Sequence, residues 1–389
     1  MIKILDISRT LGKLNDTHNY YGGCIGNVAY NLIYTLANKY DDVELYILLD
    51  GVSFTHSQPQ NFKFRILPFK KKGISSAILR RYTRYIKKIL EKEEISVISQ
   101  LYLIYVADFN LLKEIKDYPF VIGMCELPHP RLRDEAGVYG PVIAHFGKKL
   151  ISPLFKRTLE HCDALIAVNE AAKELYANFI PVSKIKVIPY GVDLEHFTYS
   201  PLPYSHTMPN SHNILAVSRL IERRGLDYLI EVMPKILKGY PDAKLHFVGD
   251  GPRKEILRRR AKELEISSKV IFHGNVSANE LVNFYRNCYV FCHFSFADGW
   301  NQPALEAMAS GRPVVSTDAP HNSMVIDKKT GFLIPYGDVD MLAEKIMKLF
   351  SDRGLAERMG LEGRKEAEEK YNWDEVGRRY YEVYRGVTS

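Results

Sequence analysis

Short runs of β-branched and aromatic residues recur along this chain with helical stretches between them, and that alternation constrains the fold more than any other feature. In the first half the runs are IKILDIS (2–8), VELYILLD (43–50), KFRILPF (63–69), ISVISQ (95–100), FVIGMC (120–125) and DALIAVN (163–169). In the second half they are NILAVS (213–218), KLHFVG (244–249), KVIFHG (269–274), YVFCHF (289–294) and PVVST (313–317). Helical patterns lie between them, from about Gly26 to Lys39 in the first half and over 226–238, 253–264, 278–287 and 303–310 in the second. The runs are apolar on both faces, as parallel strands covered by helices on each side must be. Across 226–238, Leu226, Leu229, Ile230, Met233, Ile236 and Leu237 keep the helical period.

Two such series in 389 residues predict an α/β protein of two Rossmann-like doubly wound domains facing a cleft, since roughly 100–200 residues make one domain. The stretch YSPLPYSHTMPNSH (199–212) has no periodicity and is rich in Pro, Ser and His, so it reads as the linker. Domains of 1–198 and 199–371 follow, with a closing helix over 372–389 that carries Trp373, Val376, Tyr380 and Val383 on one side.

No run approaches the roughly 18 apolar residues of a spanning helix. The opening MIKILDIS reads as a strand rather than a secretory leader, so a cytoplasmic protein is expected. Five cysteines without a paired-ligand spacing read as reduced, mostly buried thiols. The net charge of +7 is mild but uneven, because the stretch 70–92 holds nine Lys or Arg against one Glu. Within it Ile74, Ile78, Tyr82, Ile86 and Leu90 recur every four residues, which makes 74–92 an amphipathic helix with a basic rim. Such a helix either packs on its own domain or meets an anionic membrane surface, peripherally at the inner face. No recognition module accompanies the charge, which argues against nucleic acid.

Ligands of open parallel sheets bind beyond the carboxyl ends of the strands, so the chemistry belongs on the loops there. YYGGCIGN (20–27) puts Gly22 and Gly23 before a helix start, where a backbone can approach a phosphate. Its spacing does not match the dinucleotide fingerprint G-x-G-x-x-G. In SRLIERRG (218–225), Arg219 and Arg224 offer two guanidinium forks to a diphosphate, or make an exposed charged turn. DGWNQPALEAMASG (298–311) sets Asp298 and Glu306 around a helix start with seven residues between them. There Pro303 suits the first turn, Glu306 is read in that turn, and Gly311 stops the helix.

Taken in order, SRL…RRGLDYLIE…LHFVGDGPRKEIL…VIFHGNV…DGWNQPALEAMASGRPVVSTD resembles the retaining glycosyltransferases of the GT-B fold, most closely family 4, glycosyl transferases group 1. The resemblance is strong over about 213–335 and reaches VIPYGVDLEHF (187–197), similar to that family's domain-crossing segment. It is weaker in the first half. It implies sugar transfer from a nucleotide-diphosphate donor to a glycan, lipid-linked or small-molecule acceptor, with no metal and no cofactor. By the same resemblance Arg219 and Arg224 would grip the donor diphosphate, with Gly22 and Gly23 approaching it from the other domain. Asp298 would hold the donor sugar and Glu306 the ribose, each suited to a vicinal diol. Backbone N–H groups of Trp300, Asn301, Gln302 and Leu305 would face sugar and phosphates, and Val276 would lie where the nucleobase meets the chain. The 372–389 helix would pack back onto the first domain. The D-x-D at 338–340 opens a helix and reads as a cap instead of a metal site.

Three departures stand out. The first acid is Asp298 where the family usually has Glu. The usual Gly-Phe-Gly reads Gly299-Trp300-Asn301, which gives Asn301 a side chain able to read the sugar. The family's His near the anomeric carbon is replaced by Cys125, so Glu126 or His129 takes that role. A GT-B epimerase or phosphorylase, and a non-catalytic sugar-nucleotide-binding protein, remain open alternatives.

Overall fold

Among the described residues thirteen strands form two sheets, and every pairing between them is parallel. The computed structural model describes residues 1–6, 24–50, 64–69, 76–100, 109–125, 156–202, 212–296 and 298–389. The chain divides into two compact units, with boundaries at Tyr190/Gly191 and Asn372/Trp373.

The first unit contains β1 (Ile2–Asp6), β2 (Val43–Asp50), β3 (Phe64–Phe69), β4 (Val97–Gln100), β5 (Phe120–Cys125), β6 (Ala164–Ala167) and β7 (Ile185–Val187), in the order β3-β2-β1-β4-β5-β6-β7. Helices α1 (Cys24–Lys39), α2 (Ser76–Lys92), α3 (Phe109–Ile115) and α4 (Glu170–Tyr176) belong to it, together with the distant α12 (Trp373–Thr388). The latter buries Val376, Tyr380 and Tyr384, and Tyr384 shares a 2.8 Å hydrogen bond with the Ser99 hydroxyl of β4. Its inward face therefore runs through Tyr384, and Val383, expected on that face, is only half-buried. A Cβ at Gly377 would lie 2.7 Å from Thr35 Cγ2, so α12 and α1 approach more closely than any side chain there permits.

In α2 the buried positions are Thr83, Ile86 and Ile89, with Leu90 partly covered. Ile89, absent from the four-residue pattern, joins Ile86 in the core, while Arg84, Lys87 and Lys88 stay exposed. The helix begins at Ser76, and the side chains of Ile78 and Tyr82, like Ile74, lie outside the described residues. The apolar face of α2 thus packs within its own unit. No helix among the described residues is long and apolar enough to cross a membrane.

The second unit contains β8 (Asn213–Val217), β9 (Lys244–Val248), β10 (Val270–Gly274), β11 (Val290–His293), β12 (Val314–Thr317) and β13 (Gly331–Ile334), in the order β10-β9-β8-β11-β12-β13. Its helices are α5 (Leu226–Glu231), α6 (Met233–Gly239), α7 (Lys254–Glu263), α8 (Ala278–Asn287), α9 (Gln302–Ala309), α10 (Val339–Ser351) and α11 (Arg353–Lys370). The expected single helix over 226–238 divides at Val232, because Pro234 brings no N–H to continue the ladder. Strands β7 and β13 were not expected. The latter opens on Gly331, whose Cβ would stand 2.1 Å from the Val314 carbonyl oxygen, so a residue with the look of a turn is required inside a strand.

The Pro- and Ser-rich stretch at 199–212 is anchored to this unit at both ends. Leu202 is buried in its core, and His212 pairs with Asp242 at 2.8 Å. Cys162, Cys288 and Cys292 are buried free thiols, and burial pushes those of Cys162 and Cys288 up to about 12.

Candidate functional site

The order β10-β9-β8-β11 places β8 beside β11, with onward connections leaving in opposite directions. That is the topological switch point of the sheet, where the two loops part and leave a crevice. The loop after β8 carries Arg219, Arg223 and Arg224, and the loop after β11 carries Asp298.

Backbone contacts fasten these two loops together. The Arg223 carbonyl accepts from the Ser295 hydroxyl at 2.9 Å and from the Phe296 N–H at 3.2 Å. Gly225 adopts φ +58°, and a Cβ there would lie 2.0 Å from the Phe294 carbonyl oxygen. Only glycine meets both conditions, the left-handed backbone and the close approach.

Their side chains then converge. The Asp298 carboxylate pairs with Arg224 and, through its other oxygen, with Arg223 at 3.4 Å. All three side chains are largely buried, between 10% and 16% exposed. The Arg224 guanidinium also donates to Nε2 of His293 at 3.1 Å, and that nitrogen lies 3.7 Å from Asp298. His293 ends β11, is buried, and meets the His321 ring edge-on at 5.8 Å. Burial, with the charges of Arg224, His321 and Arg223, holds its imidazole well below its ordinary range.

Glu306 sits apart from this cluster. Helix α9 starts at Gln302, so Glu306 falls in its second turn instead of the first, and no acid occupies the first turn. Its carboxylate is buried and accepts from the Tyr285 hydroxyl of α8 at 2.8 Å. Favour from the helix dipole therefore does not explain the residue, since that effect fades beyond the first turn.

Asn301 behaves differently from its expected role. Its amide oxygen caps α9 by accepting from Ala304 N–H at 3.2 Å, and its amide nitrogen donates to Asn322 at 2.6 Å. Asn322 in turn donates to Thr317, whose hydroxyl donates to the Ser295 carbonyl. Asn301 is thus a buried brace between the β11 and β12 loops. Its N–H donates to the His321 carbonyl and the Leu305 N–H to the Asn301 carbonyl, so two of the four N–H groups expected to face a ligand are engaged within the protein.

Trp300 is buried with its ring 6.1 Å from Tyr371, and Gln302 donates to the Gly191 carbonyl at 2.9 Å. Val276 is half-buried in the loop after β10, beside the Ser277–Glu280 capping box of α8. Arg219 is exposed and makes no ion pair among the described residues. Asp338 caps α10, accepting from Met341 N–H at 2.8 Å. Gly22, Gly23, Glu126 and His129 lie outside the described residues. Arg223, His293 and His321 were not anticipated. The only signal for His293 was a polar residue ending an otherwise apolar strand.

A cavity of about 250 Å³ opens between the sheet and α8, lined by Asn213, Leu215, His246, His273, Phe284 and Cys288 among others. Asn213 donates its amide to the Asn287 carbonyl, which leaves its oxygen to accept from His246 Nε2–H at 3.2 Å. His246 Nδ1 must then be the acceptor for His273 Nε2–H at 3.0 Å. His246 is neutral in this chain of bonds.

Comparison with known proteins agrees with this architecture. Residues 21–196 match the model of Glycosyltransferase Family 4, and residues 207–366 that of Glycosyl transferases group 1. The GDP-mannose-dependent alpha-(1-6)-phosphatidylinositol monomannoside mannosyltransferase of Mycolicibacterium smegmatis is 30% identical over 247 residues, 59% of this chain and 64% of that relative. The match therefore spans somewhat under two thirds of that relative's length. The sucrose-phosphate synthase of Thermosynechococcus elongatus superposes with a TM-score of 0.75 at 19% identity, covering 100% of this chain and 99% of that one. Anabaena Alr3699/HepE in complex with UDP and glucose gives 0.71 at 16% identity, covering 99% and 100%. Two doubly wound parallel sheets, each matched by one half of the same pair of family models, place this chain among the GT-B glycosyltransferases of the family 4 type.

Proposed function

We propose that the protein transfers a sugar from a nucleoside diphosphate sugar to an acceptor, with retention of the anomeric configuration. The observation that carries this reading is the convergence of Arg224, Arg223 and Asp298 at the switch point of the second sheet. A guanidinium fork suits a diphosphate, and a carboxylate suits the vicinal hydroxyls of a sugar. Here the two groups pair with each other, and a donor offers each a better-matched partner. Arg219 would close on the same diphosphate. Glu306, steadied by Tyr285, would hold the ribose hydroxyls. Its relatives support the donor class, one being GDP-mannose-dependent and a structural neighbour being bound to UDP and glucose.

The chemistry proposed has two parts. Positive charge from the arginines stabilises the departing diphosphate, a task that in this reading needs no metal. The acceptor oxygen bonds the anomeric carbon on the face from which the diphosphate departs, and a diphosphate oxygen takes its proton, which retains the configuration. Glu126 or His129 is assigned to the surroundings of the anomeric carbon. For the acceptor, the phosphatidylinositol mannoside in the mycobacterial relative's name supports a lipid-linked glycan. The exposed basic rim of α2 would then touch an anionic membrane surface from the cytoplasmic side, which flotation with anionic liposomes tests.

A thermal-shift screen against UDP, GDP and ADP sugars tests the donor reading, with Glu306→Ala as the control that abolishes the response. Failure of every nucleotide to shift the wild type sinks it. NMR of the product decides the anomeric configuration, and turnover in EDTA decides the metal. An epimerase would instead return an altered nucleotide sugar without acceptor, and a phosphorylase would require inorganic phosphate.

A further inference from the structure

We infer that His293 is a positioning residue for Arg224: its Nε2 takes an N–H of the same guanidinium nitrogen that pairs with Asp298 and, beside that carboxylate, holds the fork ready for the donor diphosphate. This rests on the donor reading above.

The contact fixes the proton arrangement. A guanidinium carries donors only, so the nitrogen facing Arg224 at 3.1 Å must be the acceptor. Nε2 is therefore unprotonated and Nδ1 carries the hydrogen. Charge favours the same state. Arg223 and Arg224 bring two positive charges to Asp298, and an imidazolium would add a third within the same cluster. The ring at the far edge, His321, offers no negative charge.

A filler role does not account for the residue. His293 is only 3% exposed, and its Nδ1 is buried with no hydrogen-bond partner among the described residues. A leucine would fill the end of β11 without that unmet donor, whose burial is unfavourable. What histidine supplies in exchange is an acceptor beside Arg224 that carries no charge. A carboxylate there would bind the guanidinium outright and compete with a phosphate. A neutral nitrogen orients the fork and leaves its charge available. The loops arrive already fastened, since Gly225 closes against Phe294 and Ser295 bonds Arg223. His293 extends that order from the backbone to the side chain.

The test compares binding of nucleoside diphosphates and monophosphates. UDP, GDP and ADP, with UMP, GMP and AMP, are titrated calorimetrically into wild type, His293→Phe, His293→Gln, Arg224→Ala and the double variant His293→Phe/Arg224→Ala. His293→Phe is expected to weaken the bound diphosphate about tenfold and to leave the monophosphate unchanged. His293→Gln, which restores a neutral acceptor, should recover most of the loss. The double variant should bind no worse than Arg224→Ala. Unchanged diphosphate affinity in His293→Phe, or losses that add in the double variant, overturns the inference while the donor reading stands. A wild type that binds none of the diphosphates overturns both. If His293→Phe fails to fold, ¹⁵N spectra of labelled histidine in the wild type decide the matter. A hydrogen on Nδ1 of His293 supports the inference, and a hydrogen on Nε2 overturns it.

Discussion

The hydroxyl of Tyr285 donates to the Glu306 carboxylate across 2.8 Å, joining α8 to α9 inside the second unit. Neither side chain reaches solvent to any extent. Tyr285→Phe removes a donor from a buried carboxylate and should destabilise the second unit by about 1–3 kcal/mol. Glu306→Gln keeps an oxygen facing Tyr285, so it should stay close to wild type in a urea melt while nucleotide binding falls at least about tenfold, the order expected for a charge-assisted contact. A Gln variant that binds nucleotide normally would remove Glu306 from the donor site.

Gly225 is expected to tolerate no side chain. In Gly225→Ala the new Cβ meets the Phe294 carbonyl oxygen at 2.0 Å in a left-handed backbone. Relief requires the β8 and β11 loops to part. The expected cost is roughly 2–4 kcal/mol, with nucleotide binding lost even where the fold survives. Denaturation midpoints and titration of the same sample separate the two effects.

Asp298 serves two arginines at once. Asp298→Asn removes the carboxylate that Arg223 and Arg224 share. Breaking a largely buried pair in this way costs about 3 kcal/mol, the low end of the range because each side chain keeps some solvent. The variant should recover part of that loss in high salt, which screens the two cations. An unfolding midpoint equal to wild type at low salt would show that the pair contributes nothing to stability.

The histidine pair makes the second unit sensitive to acid. Burial, with His273 nearby, lowers His246 from 6.5 to about 4, and burial lowers His273 as well. Between those values the unfolded chain binds protons that the folded chain refuses. The stabilisation is therefore complete above about 6.5 and is lost as the pH falls toward 4. Urea melts at about pH 7.5, 5.5 and 4.5 should show falling stability that flattens in His246→Gln. An equal decline in the variant would assign the acid sensitivity elsewhere.

Most strands buried on both faces were legible, because the apolar run then carries its own signature. β7 and β13 were not: three residues, Ile185 to Val187, make no pattern, and Gly331 at the head of β13 has the look of a turn. Arg224, Asp298 and Glu306 were legible as motif positions, although the turn holding Glu306 was misjudged from a helix start placed too late. Arg223, His293 and His321 belong to the site only through tertiary proximity. His293 is far from Arg224 in sequence, and nothing local distinguishes it from a residue closing a strand. Asn301 shows the converse. Its position suggested a ligand contact, and once the chain folds its amide also braces two loops through Ala304 and Asn322, which no local pattern announces.

The return of α12 to the first unit also has a consequence for how the protein is made. During translation the second unit, Gly191–Asn372, is synthesised in full before Trp373. Ser99 therefore awaits Tyr384 while an entire neighbouring unit is made. Until then the surface around Thr35 and Ser99 that α12 covers has no cover from it, so the first unit is the last to be completed although it is the first to be begun.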